Sequence, residues 1–134
     1  MAWENGLMDI GQLESSGDMS GKQYRAVRAS SANADDGVIV VAARGTAVTG
    51  VWQDNSTAAT AGALRIYGVT KMAAGDSSGG AAIAQGAKVV ASSQGQAVAS
   101  TATGQSVIGI ALGSLGASST GIIPVMLTIG ALSS

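Results

Sequence analysis

The side chains that most often move protons, bind metals or attack carbonyls are missing from this chain: its 134 residues include no His and no Cys. What remains for nucleophilic chemistry is Ser, Thr and Lys. Residues 75–80 read Gly-Asp-Ser-Ser-Gly-Gly, one Ser longer than the Gly-Asp-Ser-Gly-Gly that surrounds a class of serine nucleophile. A serine of that type needs an imidazole to take its proton, so the stretch reads as a Gly/Ser turn. Lys71 or Lys88 would serve a Ser as base only if burial depressed the ammonium pKa, and no spacing singles out such a pair. Residues 17–22, Gly-Asp-Met-Ser-Gly-Lys, carry three residues between the glycines where a phosphate-binding loop needs four, and Gln23 follows where that loop needs Ser or Thr. Asp35-Asp36-Gly37 is not followed by the ladder of oxygen ligands and closing Glu that calcium requires. No catalysis, no metal and no cofactor is expected.

Other partners are constrained by charge. Tyr24-Arg25 and Arg28 are residue types that touch nucleic acid, but seven basic residues stand against eight acidic ones, for a net charge of -1. That balance leaves no electrostatic footprint for a phosphate backbone. The start of the chain, Met1 to Gly6, has no basic region followed by an apolar run, so no secretory leader is expected and synthesis in the cytoplasm is. Asn55-Ser56-Thr57, although a glycosylation sequon, then reads as a polar turn. Ser106 to Leu132 is uncharged and rich in Ile, Leu and Val, yet residues 113–121 (GSLGASSTG) divide it into apolar pieces of 7 and 11 residues, short of the roughly 20 that span a bilayer as a helix. Neither nucleic acid nor membrane is expected as a partner.

The distribution of charge points to assembly. From Val89 to Ser134 there is no charged residue at all, whereas soluble proteins use such residues to keep surfaces and sheet edges apart. Of the apolar residues 25 are Ala, only 28 are Val, Ile or Leu, and Phe is absent, so the core is thin. With no disulfide to staple it, neighbouring subunits are expected to supply part of the burial. Gly occurs 20 times against one Pro, spaced so as to cut the chain into short pieces, which suits short β-strands joined by tight turns.

The expected fold is all-β: a small single-domain β-barrel or β-sandwich of short strands with an extended N-terminal arm. Residues 1–22 form that arm or irregular lead-in, and residues 23–134 a single β domain. Candidate strands cover 23–29, 38–41, 47–53, 64–70, 87–91, 96–100, 107–112 and 123–129, with a loop through 75–80. The run Val38-Ile39-Val40-Val41 suits a strand buried on both faces, and the turn at Ser92-Ser93-Gln94-Gly95 marks a hairpin. Ile108, Ile110 and Leu112 are expected on one face with Gly109 and Ala111 on the other. Ile123, Val125 and Leu127 alternate with Pro124 and Met126, and Pro124 favours an edge or a strand start. Trp52 belongs in the core, while Trp3, in a polar setting, suits an interface anchor.

The run from Gly68 to Leu127 carries GVTKMAAG, then AIAQGAKVVASSQGQAVAS, then VIGIALG, then GIIPVML. It resembles the small capsid decoration (cement) proteins of tailed bacteriophages, through Gly86-Ala87-Lys88-Val89, Gly95-Gln96-Ala97-Val98, Val107-Ile108-Gly109-Ile110-Ala111 and Ile123-Pro124-Val125. The resemblance implies a structural virion protein on the outer surface of an icosahedral head, commonly a homotrimer, whose partners are the major capsid protein and further copies of itself. Multivalent contact turns modest single-site affinity into a strong lattice, and no catalytic group is needed. Trp3, Leu7, Met8 and Ile10 are then the expected capsid-binding residues, and Ile108, Ile110, Leu112, Ile123, Val125 and Leu127 the expected core or subunit interface. The alternatives are a structural β-module of a phage fibre, spike or cell-surface assembly, and an enzyme restricted to Ser, Thr or Lys.

Overall fold

Runs of β-branched residues interrupted by Gly produce a structure built from strands. The computed structural model describes residues 8–15, 17–29, 38–41, 43–55, 57, 61–76 and 80–133, with the backbone alone over 10–15 and 38–41. Ten strands follow one another: β1 (Met8–Ser15), β2 (Ala26–Ala29), β3 (Val38–Val41), β4 (Gly50–Trp52), β5 (Ala61–Tyr67), β6 (Val69–Gly75), β7 (Lys88–Ala91), β8 (Ala97–Ala99), β9 (Val107–Ala111) and β10 (Thr120–Leu127). The all-β, small single-domain reading holds.

Pairing divides the strands by sequence. The first five form a closed ring in the order β1-β3-β2-β4-β5, and the last five a second ring in the order β10-β6-β8-β7-β9. All ladders are antiparallel except β1 with β3 and β6 with β8. The switch from one ring to the other falls at Gly68, whose φ of 93° lies in the left-handed region that glycine enters without steric cost. Beyond it the only charged residues are Lys71, Asp76 and Lys88. The charge asymmetry of the sequence thus runs largely between the two rings, with the uncharged stretch beginning at Val89 inside the second.

One core joins the rings. Ala26, Val48 and Val51 of the first cluster with Met72, Ile83, Val89, Ala91, Ile108, Ala111, Ile123, Val125 and Leu127 of the second. A smaller cluster of Met19, Val27, Trp52 and Leu64 fills the first ring. Trp52 is fully buried as expected. Backbone hydrogen bonds stitch the same junction: Ala26 N–H donates to the Gly95 carbonyl at 2.7 Å, and Ala73 N–H to the Tyr24 carbonyl at 2.9 Å.

Several expectations are met and several are revised. The hairpin at 92–95 is present, with Val89, Val90 and Ala91 opposite Ala99, Val98 and Ala97 and the Ser92 hydroxyl accepting the N–H groups of Gln94 and Gln96, each at 3.1 Å. In β10, Ile123, Val125 and Leu127 are buried while Ile122, Pro124 and Met126 face out. Pro124 is neither at an edge nor at a strand start but inside β10, opposite Lys71 of β6, and it is tolerated because the ladder to β9 covers only Val125 to Leu127. In β9 the expected faces do not hold. A register shift between Val89 and Val90 of β7 inserts Ile108 as an extra residue, turning it into the core beside Ala111 and leaving Ile110 on the outer side opposite Lys88 and Met126. Residues 64–70, expected as one strand, are the end of β5, the bend at Gly68 and the start of β6, which runs on to Gly75. Within the expected lead-in, Met8–Ser15 pairs along β5 and, over Glu14 and Ser15, along β3. β3 has a partner on each side; its side chains, and the Asn33–Gly37 turn, lie outside the described residues.

A core of small side chains requires close backbones. A Cβ on Gly109 would stand 2.1 Å from the Met126 carbonyl oxygen. Gly109→Ala is therefore expected to force β9 and β10 apart and to destabilise the fold by about 1–3 kcal/mol, whereas Gly17→Ala, with nothing within 4 Å of the new carbon, should stay within about 0.5 kcal/mol. Thermal melts of the two variants measure this, and equal melting temperatures would contradict it.

Candidate docking surface

Where the rings meet, their side chains leave a cleft of about 270 Å³ lined by Tyr24, Gln53, Arg65, Val69, Thr70, Lys71 and Pro124. Tyr24 is held at its edge in an uncommon backbone conformation, φ 64°. Its N–H donates to the Trp52 carbonyl at 2.7 Å, and its carbonyl takes the N–H of Ala73 on β6. Left-handed geometry at a non-glycine residue costs on the order of 1–3 kcal/mol, and here bonds to both rings hold it in place. The Gln53 amide donates to the Val51 carbonyl at 2.9 Å and to the Thr70 hydroxyl at 3.2 Å. Arg65 meets Asp9, its cross-strand partner on β1, through two parallel hydrogen bonds of 2.7 and 2.9 Å. That pair holds the Asp9 carboxyl below its ordinary range, the Arg65 hydrogen bond being the largest cause. Lys71, by contrast, makes no ion pair among the described residues.

The cleft opens onto the outer face of the second ring. The register sets Val69 opposite Met126, Lys71 opposite Pro124 and Ala73 opposite Ile122. Ile110 extends the Met126 row, and Leu112 N–H donates to the Pro124 carbonyl at 2.8 Å. Ile122 is 58% exposed, Met126 42% and Leu112 38%, while their neighbours Ile123 and Val125 are at 3% and 0%. Every position from Ile122 to Leu127 is apolar, so one alternate set fills the core and the other remains outside. Exposed apolar side chains grouped on one sheet face are the kind of surface that protein partners cover.

The residues singled out in the sequence are distributed between core, surface and the segment outside the described residues. Trp3 and Leu7 belong to that last segment. Met8 is 55% exposed beside exposed Tyr67, and Ile10 has its backbone in β1 opposite Leu64. Ile108, Ile123, Val125 and Leu127 are core, whereas Ile110 is half-buried and Leu112 exposed. Sequence reasoning missed Tyr24, Arg65 and Lys71 as members of one cleft and Ile122 and Met126 as an outer surface. The one available signal was the unbroken apolar run of β10, which exceeds what a strand with one solvated face needs. Residues 17–22 form an anchoring turn: Met19 is buried, Lys22 N–H donates to the Met19 carbonyl at 2.9 Å, Asp18 accepts the Ser20 N–H and Asn55 accepts the Gly21 N–H. Of the Gly75–Gly80 stretch, residues 77–79 lie outside the described residues. Among the described residues no group of acidic side chains is placed to hold a metal, and no helix is long and apolar enough to cross a membrane.

Comparison with known proteins adds a family and a fold. A family model described as phage cement protein matches residues 20–127. The solved structure described as the head fiber gp8.5 N base in bacteriophage phi29 superposes with a TM-score of 0.67 at 17% identity, covering 91% of this chain and 94% of that one. Curated proteins give no match.

The Asp9–Arg65 pair makes a pH-dependent contribution. Because the folded Asp9 pKa lies below its reference of 3.8, the stabilisation is fully present above that reference and lost as pH falls through the folded value. The pair is partly exposed, so its worth is about 0.2–1 kcal/mol. Urea unfolding should show Asp9→Asn less stable than wild type by that amount at neutral pH, the difference closing below about pH 3.8. A gap that persisted into strong acid would contradict the assignment.

Proposed function

Since the chain belongs to the phage cement protein family, and is on that footing a phage structural protein, we propose that it binds the exterior of an icosahedral phage head and stabilises contacts between capsid subunits. The observation that carries this reading is apolar surface left over once the core is complete: Met8, Tyr67, Leu112, Ile122 and Met126 stand exposed on a fold whose interior is already filled. Exposed side chains of this size make sense when another surface covers them. The partner is the major capsid protein. Self-association, as a homotrimer, would multiply each contact, and multivalency raises avidity without any new chemistry.

Within this reading Trp3, Leu7, Met8 and Ile10 contact the head. Met8 supports the assignment by its exposure at one end of β1; the pairing of Ile10 with Leu64 makes deletion of the whole segment a poor test, because it would remove a strand of the first ring. A second reading has support from the fold likeness over nearly the whole chain to a head fiber base: a structural module that seats a fibre on the virion. Under it, the free protein alone would leave the head unreinforced.

The test is co-sedimentation with purified heads that lack the protein. Wild type is expected to pellet with heads, and Trp3→Ala/Leu7→Ala/Met8→Ala to lose at least about tenfold in affinity, roughly 1.4 kcal/mol, with an unchanged melting temperature. Heads carrying the protein should also withstand heating better than bare heads. Absence of binding at saturating wild-type protein would remove the proposal.

A further inference from the structure

The outer face of the second ring carries two lysines: Lys88 on β7, opposite Ile110, and Lys71, which makes no ion pair among the described residues. Lys71 projects from β6 between Val69 and Ala73 and lies opposite Pro124. The other cation of the adjoining cleft, Arg65, is already matched by Asp9 at 2.7 Å, so the two cations and one carboxylate leave a net positive charge at the ammonium. Of the strands that supply the rest of the face, β9 and β10 carry no charge, and β7 adds a further cation, Lys88, rather than a carboxylate. An ammonium on an apolar platform is a site for a carboxylate, because water is partly excluded by the surrounding apolar surface and the attraction is less screened than in bulk solvent.

We propose that this face, with Lys71 at its centre, docks an acidic side chain set among apolar residues on the capsid protein. Ile122, Pro124, Met126 and Leu112 take the apolar surround, and the cleft bordered by Tyr24 and Thr70 gives the carboxylate side chain depth to reach the ammonium. Charge decides against a second copy meeting this face through itself. In a two-fold interface the same patch lies on both sides, which would set an ammonium against a patch with no carboxylate among its described residues. A partner of opposite sign satisfies it. The inference rests on the head-binding reading and adds which surface is used and the chemistry it recognises.

The experiment compares wild type, Lys71→Arg, Lys71→Glu and Ile122→Ser/Met126→Ser in co-sedimentation with bare heads, with thermal melts to establish that each variant is folded. Lys71 is exposed and the two apolar residues lie outside the core, so all four should melt within a few degrees of each other. Lys71→Glu and the double variant should each bind at least about tenfold more weakly, Lys71→Arg within about twofold of wild type, and added salt should weaken wild type more than Lys71→Glu. Equal binding by wild type and folded Lys71→Glu overturns the inference while leaving head binding intact. Failure of wild type itself to bind removes head binding and the inference with it. A change in oligomeric state with unaltered head binding would assign the face to self-association and also overturn it.

Discussion

The structure depends on packing small side chains closely. With 25 Ala and no Phe, the interior can reach the density of a protein core only if backbones approach one another. Ala26, Ala74, Ala91, Ala97 and Ala111 are all fully buried, and glycine is required where even a methyl group would collide. Gly109 lies against the Met126 carbonyl, and Gly62 leaves room for the Trp52 ring, whose Cζ2 would lie 2.3 Å from an added Cβ. Among the described residues the one large aromatic of the interior is accommodated by removing a side chain beside it. Two rings of short strands result, joined by one core that takes Ala26, Val48 and Val51 from the first and most of its volume from the second.

The same economy shapes the outside. Because the second ring satisfies its interior with one alternate set of residues, Ile122, Pro124 and Met126 on β10 are free to form a surface, on which Lys71 and Lys88 from the neighbouring strands are the charged groups. Charged residues concentrate in the first ring, where Asp9 and Arg65 tie β1 to β5. Tyr24 stands at the seam, bonded to β4 on one side and β6 on the other, so a locally unfavourable backbone conformation coincides with the rim of the cleft. Strain of this kind persists where surrounding structure over-determines it.

A phage structural protein needs a well-packed body and surfaces to offer, and the fold has a filled core and exposed apolar side chains. Closed rings remove the unpaired edges through which strands aggregate, which matters for a chain with so few charges in half its length. The chain belongs to the phage cement proteins and shares its fold with a head fiber base at 17% identity.

Much of the fold was legible because it is written locally. The β-branched run of β3, the Ser92–Gly95 hairpin and the alternation of Ile123, Val125 and Leu127 each appear within a few neighbouring residues, as does the thin Ala-rich core. The rest was decided by partners far along the chain. β1 has no strong pattern of its own and becomes a strand through β5 and two residues of β3; the bulge opposite Val89 and Val90 reverses the expected face of Ile108; parallel contacts such as Ala74 with Ala97 close a ring that no turn signal announces. The candidate surface divides in the same way. Composition by itself determined that the chain lacks imidazole and thiol chemistry and that its last third is uncharged. Only the tertiary structure brought Tyr24, Arg65 and Lys71 to one cleft and set Lys71 opposite Pro124, because strand register depends on non-local pairing, and side-chain period can say which residues share a face but not which faces meet.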